Sequence, residues 1–175
     1  PSGYWRYLNF PTRTWKSDSG TSQYRRGLYT HWQRTLVHPA MLALDAPTRE
    51  ECTAMRSISN TPAAALTLLN DPTFVEAARA LAARAVQLGG ERENDKIRWL
   101  FLQVLSRPDT QQERGAVVQI LKTAREHYTD DPQAAVQLQT NGLFKLESTV
   151  DVIEVSAWTM VCRVVLNLSE TITRN

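Results

Sequence analysis

Apolar residues return at helical spacing along most of the chain. Tyr24, Leu28, Trp32 and Leu36 recur every four residues and predict a first helix, with Arg25, Arg26 and Arg34 off the stripe. Pro39 removes a backbone donor and restricts His38, so the helix is expected to stop there. Met41 to Leu44 is an apolar run too short to assign. Phe74, Ala78, Leu81, Ala82, Ala85 and Leu88 share one face of a helix that Gly89-Gly90 terminates. Ile97, Leu100, Phe101, Val104 and Leu105 form the stripe of the next, stopped by Pro108. Val117, Ile120, Leu121, Ala124 and Tyr128 continue the pattern, and Ile153, Ala157, Trp158, Val161, Val164, Val165 and Leu168 end it.

The punctuation between these stripes is equally helical. Thr48 with Glu51, Thr73 with Glu76 and Thr110 with Glu113 each have capping-box spacing, and the first predicts a short helix from about Arg49 to Arg56. Thr61 before Pro62 predicts an N-cap with proline at the first helical position, leading an alanine-rich helix to Leu69. Asn70-Asp71-Pro72 reads as a tight turn. Asp130-Asp131-Pro132 starts a short helix to Leu138 that Asn141-Gly142 breaks, and Ser148 with Asp151 opens the last one. The fold class is therefore all-α: a compact domain of about six helices. Residues 1–23 read as an irregular aromatic-rich arm expected to dock on an upstream domain, and residues 24–175 as one helical domain.

Composition changes this picture little. The 175 residues are 42% hydrophobic and 22% charged, as in an ordinary folded domain. No apolar run reaches the roughly 18 to 20 residues of a membrane span. Because the first residue is Pro1, with no basic and apolar leader, the chain is expected to be a processed product or a piece of something longer. The net charge of +2 hides an uneven start, in which Arg6, Arg13, Lys16, Arg25, Arg26 and Arg34 face Asp18 alone. Such a basic end suits an anionic polymer, a membrane surface or an acidic neighbour.

No RNP-type motif accompanies the early aromatics, and the helix after Asn70-Asp71-Pro72 is led by Phe74 and Val75, which suit a core, and by Glu76, which repels phosphate. Specific nucleic-acid recognition is not expected. Cys52 and Cys162 form no CxxC or CxxCH, and His31, His38 and His127 have no HExxH spacing, so neither a metal nor a haem of the chain's own is expected.

Several segments, in order, resemble one bacterial family. They are Tyr24-Arg25-Arg26-Gly27-Leu28-Tyr29-Thr30, Leu44-Asp45-Ala46-Pro47-Thr48-Arg49-Glu50, Asn60-Thr61-Pro62, Leu68-Leu69-Asn70-Asp71-Pro72 and Val165-Leu166-Asn167-Leu168. Together they are similar to planctomycete-specific domain 1, also called DUF1553. The resemblance implies the C-terminal domain of an exported multidomain protein, placed in the periplasm, the cell envelope or outside the cell. It implies an upstream domain as partner, and a haem c in the upstream part of the parent protein rather than in this chain. It supplies no catalytic residues. Ala63-Ala64-Ala65 and Ser169 depart from the family pattern, and Ser169 weakens any metal role for that end.

The polar constellation of interest is Arg26, Asp45, Arg49, Glu50, Cys52, Arg56 and Asn60. On a helix, Arg49, Cys52 and Arg56 share a face, and a thiol flanked by guanidinium groups near a helix N-terminus is reactive. The plainer reading makes Cys52 a small buried hydrophobe and the arginines partners of Asp45 and Glu50. A Cys52–Cys162 disulfide is a further alternative. Trp5, Trp15 and Trp32 are the candidate aromatic binders, either of sugar rings or of a neighbouring domain. The function expected is a structural or binding module, for carbohydrate or for an anionic polymer. The alternative is part of a polysaccharide-directed enzyme, with a site shared with the upstream domain. There Arg26, Asp45, Arg49 and Arg56 would hold an anionic group and Glu50 would serve as acid or base.

Overall fold

A helix that is apolar on nearly every side is stable only where other helices cover it all round. Residues 152–166 have that composition, and the rest of the helical body is arranged about them. The computed structural model describes residues 18, 20–30, 37–48, 51–55, 57, 59, 61–147 and 150–172. The chain forms two compact units, Pro1–Gln33 and Arg34–Asn175.

In the first unit the expected helix from Tyr24 is replaced by two 3-10 turns, Gly20–Tyr24 and Gly27–Tyr29. Arg26 between them is extended, at φ −58° and ψ 148°, which breaks helical continuity. Gly27 adds the entropic penalty of a residue without a Cβ. Tyr24 and Leu28, expected on a buried stripe, are 56% and 73% exposed. Trp32 and Leu36, the rest of that stripe, lie outside the described residues.

The second unit contains α1 (Pro39–Ala43), α2 (Pro62–Asn70), α3 (Pro72–Leu88), α4 (Glu93–Leu105), α5 (Gln111–Asp130), α6 (Pro132–Gln139), α7 (Val152–Leu166) and α8 (Ser169–Ile172). Among the described residues there is no strand. Pro39 starts α1 instead of ending a helix, because a first-turn N–H needs no partner; His38 caps it, Nδ1 accepting from the Ala40 N–H at 3.3 Å. Thr61 caps α2 as expected, through the Ala64 N–H at 3.2 Å. Asp71 both ends α2 and caps α3, accepting from the Thr73 N–H at 2.9 Å. The helix expected over Arg49–Arg56 is absent from residues 51–55, which are bends and extended chain.

α7 touches α2, α3, α4, α5, α6 and α8, most extensively α3. The reason is the small face of α3. Ala78, Ala82 and Ala85 have no exposed area, and with only methyl groups between them the two backbones approach closely. Trp158, Val155, Val161 and Val165 of α7 meet Phe101, Ile97 and Leu100 of α4 and Leu121 of α5 in one cluster. Fully burying each large side chain stabilises by about 1.5–3 kcal/mol. Leu88 and Val164, both expected inside, are exposed, Leu88 at the last position of α3.

Glu76 was placed by its spacing in a capping box with Thr73, and the structure corrects this. Its side chain is buried and its Oε1 accepts the N–H groups of Leu143 at 2.7 Å and Phe144 at 2.5 Å. Asp71 has taken over the cap, which frees Glu76 for a distant loop. One turn later Arg79 is wholly buried. Its guanidinium donates to the carbonyls of Gln139, Asn141 and Phe144 and, through Nε, to Gln139 Oε1 at 3.2 Å. Burial lowers the Arg79 pKa and the Glu76 charge opposes that shift. Gly142 completes the clasp: its φ of +82° suits glycine, and a Cβ there would overlap the Glu76 carboxylate.

At the other end of the body Arg107 joins α5 to α8. It donates to Glu113 at 2.7 Å and to Glu170 at 2.7 Å, while Glu113 closes the capping box with Thr110 that its spacing predicted. The Arg107 hydrogen bond, reinforced by Thr110, holds the Glu113 carboxyl down to about 2. A third cation, Arg125, links Glu93 of α4 at 2.6 Å with Glu154 of α7 at 2.8 Å, and Glu154 also accepts from Trp158 Nε1 at 2.9 Å.

Three outcomes are expected. Replacing Arg79 by Met leaves Glu76 buried without its counter-charge and three carbonyls without a donor, a loss of about 3–5 kcal/mol in urea unfolding; Gly142→Ala should lose about 1–3 kcal/mol by the same measurement. A carboxyl depressed in the folded state stabilises above its unfolded pKa and loses that contribution as pH falls through the folded value. The thermal-stability gap between the parent and Glu113→Gln should therefore be full at pH 7 and shrink as pH falls from about 4 towards about 2; a gap independent of pH would refute the assignment.

Candidate functional site

The residues singled out by spacing fall into three groups. Arg26 belongs to the first unit and is exposed. Asp45 and Cys52 belong to the second. Arg49, Glu50, Arg56 and Asn60, with Trp5, Trp15 and Trp32, lie outside the described residues.

Asp45 follows α1 with a φ of +58°, a left-handed conformation that Asp tolerates better than most residues. Its carboxylate accepts the Ser59 N–H at 2.7 Å and the Ser59 hydroxyl at 2.6 Å. It thus ties the end of α1 to a residue fourteen positions further along the chain. Cys52 is exposed, which corrects its reading as a small buried hydrophobe. Because residues 51–55 are not helical, the shared helical face proposed for Arg49, Cys52 and Arg56 has no helix to carry it. Both cysteines are free, so the disulfide alternative is also set aside. Cys162 is wholly buried in α7, and burial pushes its thiol pKa up.

Within the first unit, the Arg25 guanidinium carbon sits 5.9 Å from the centre of the Tyr29 ring. Tyr24, Arg25, Arg26, Leu28 and Tyr29 are all exposed. The segment therefore presents two cations and two phenol rings within six residues, an arrangement suited to stacking on a ring while pairing with an anion.

A second feature could not be read from spacing. Between α5 and α7 lies a concavity of about 460 Å³. Ile120, Ala124 and Met160 give it apolar walls, and His127, Tyr128 and Arg163 bring polar atoms to it. The His127 and Tyr128 rings are 5.0 Å apart and inclined at 58°. Arg163 donates from Nε at 3.0 Å and from Nη2 at 2.5 Å to the carbonyl of Leu69, near the C-terminal end of α2, where the helix carries partial negative charge. Among the described residues its Nη1 meets only the Met160 sulfur, at 3.4 Å, a weak acceptor. Burial raises the Tyr128 pKa and the nearby Arg163 charge opposes the rise. Sequence patterning assigned Tyr128 to a core stripe and passed over Arg163, since one cation at a half-buried helical position carries no periodic signal.

Among the described residues, no group of three or more His, Cys, Asp or Glu side chains is placed to hold a metal ion. No described helix is long and apolar enough to cross a membrane. The thiols offer a direct check of the local structure: a disulfide-exchange reagent should label Cys52 in the native protein within minutes and Cys162 only on unfolding. Two fast-reacting thiols, or none, would contradict this placement.

No curated protein and no solved structure matches the chain. A family model does, over residues 3–121, a span that takes in the exposed Tyr24–Tyr29 segment, α1 to α4 and the first half of α5. On that match, which covers most of its length, the chain belongs to the PSD1 family of proteins of unknown function (DUF1553).

Proposed function

We propose that this chain is a binding module of an exported multidomain protein and that its first unit contacts an acidic polymer, a polysaccharide bearing carboxylates above all. One observation carries this reading: Tyr24 to Tyr29 offer exposed cations beside exposed rings, with Arg25 stacked on Tyr29. Four arginines of the helical body stand in contrast. Arg79, Arg107, Arg114 and Arg125 each bond to carbonyls or carboxylates of the body itself, so their charge is spent on the fold. Sugar rings stack on aromatic faces through their C–H groups, and guanidinium forks match carboxylates. The family resemblance supports the remaining context: an upstream domain as a second partner, a haem c in the upstream part of the parent protein, and a place in the periplasm, the cell envelope or outside the cell.

The test is affinity electrophoresis of the 175-residue chain in gels containing sodium polygalacturonate, with dextran as the neutral control. Retardation is expected in the acidic polymer only, and should vanish at about 1 M salt, where the screening length is about 3 Å. The triple variant Arg25→Ala, Arg26→Ala, Tyr29→Ala should migrate freely in both gels. Unretarded parent protein, or a variant as retarded as the parent, would overturn the reading.

A further inference from the structure

The concavity between α5 and α7 plays no part in that proposal, and its chemistry is different. Its volume of about 460 Å³ is within the range of small-molecule sites. Ile120, Ala124 and Met160 would cover an apolar body of modest length. What distinguishes the cavity from a packing gap is the cation set into it. Arg163 is held in place by the two hydrogen bonds to the Leu69 carbonyl, so ordering it for a ligand costs little further entropy. Among the described residues no carboxylate lies within ion-pair distance of it, in contrast to Arg107, Arg114 and Arg125. Its Nη1 faces a thioether, a poor match for a charged donor.

We propose that this concavity binds a small organic acid, its carboxylate on Arg163 and its apolar part against Ile120, Ala124 and Met160. Charge complementarity decides for an acid over a neutral or cationic ligand, because Arg163 brings a positive charge to the cavity and no carboxylate among the described residues pairs with it. Tyr128 and His127 supply further polar atoms beside the carboxylate. Binding here would also bear on α2, since Arg163 is the bridge from α7 to the carbonyl of Leu69.

The experiment titrates the full chain with phenylbutanoate and with phenylbutanamide, which has the same shape and no charge, following amide and methyl shifts by NMR. The acid is expected to bind at least about tenfold more tightly than the amide, with shifts centred on α5 and α7. Arg163→Gln should erase that preference. Since this variant also loses the bridge to α2, a second one leaves Arg163 alone: Thr123→Phe, at an exposed position lining the cavity, should abolish binding of both probes while the protein stays folded. Equal affinity for acid and amide in the parent would overturn the anion assignment. Undiminished binding in Thr123→Phe would overturn the location. No binding of either probe would overturn the site, and would leave the polysaccharide reading untouched, because that reading depends on Arg25, Arg26 and Tyr29.

Discussion

The contact between α3 and α7 is the constraint on which the helical body depends. α7 has Val155, Ser156, Ala157, Trp158 and Thr159 buried in succession, so it has no face to give to solvent over that stretch. A helix of this kind needs neighbours on all sides, and the closest can only be one with a small surface. Ala78, Ala82 and Ala85 make α3 that neighbour. The remaining helices fill the space left round the pair, α4 and α5 with the larger side chains Phe101, Ile97 and Leu121.

Close approach along α3 leaves an electrostatic problem at its first turns, and the fold solves it with backbone. Glu76 and Arg79 are buried, where an unpaired charge is expensive. They are satisfied by peptide groups of residues 139–144, which run past α3 after α6. The same two residues therefore fix the path of the segment between α6 and α7, and so the entry of α7 into the core. Gly142 is required at that crossing because the Glu76 carboxylate occupies the space a side chain would need.

Charge is used differently across the protein. In the helical body three guanidinium groups join one element to another through buried or paired contacts: Arg107 ties α5 to α8, Arg125 ties α4 to α7, and Arg79 ties α3 to a loop. Arg163 also bridges two helices, yet by way of a carbonyl, and its positive charge meets no carboxylate among the described residues. Arg25 and Arg26 in the first unit are exposed beside aromatic rings.

Periodicity and caps were sufficient to determine the all-α class, the stripes of α4 and α5, the Thr61 and Thr110 caps and the short α6, because each depends on residues within one or two turns. Local rules misled where a competing local option was as good: Pro39 opens a helix that it was expected to close, and Asp71 displaced Thr73 as the cap of α3. What only the tertiary structure decided is where the polar residues go. Glu76 and Arg79 find partners sixty or more residues away, Asp45 finds Ser59 across a loop, and Arg163 reaches α2 from α7. A buried charge is satisfied by whichever backbone groups the packing brings to it, and no spacing within the chain encodes which those will be.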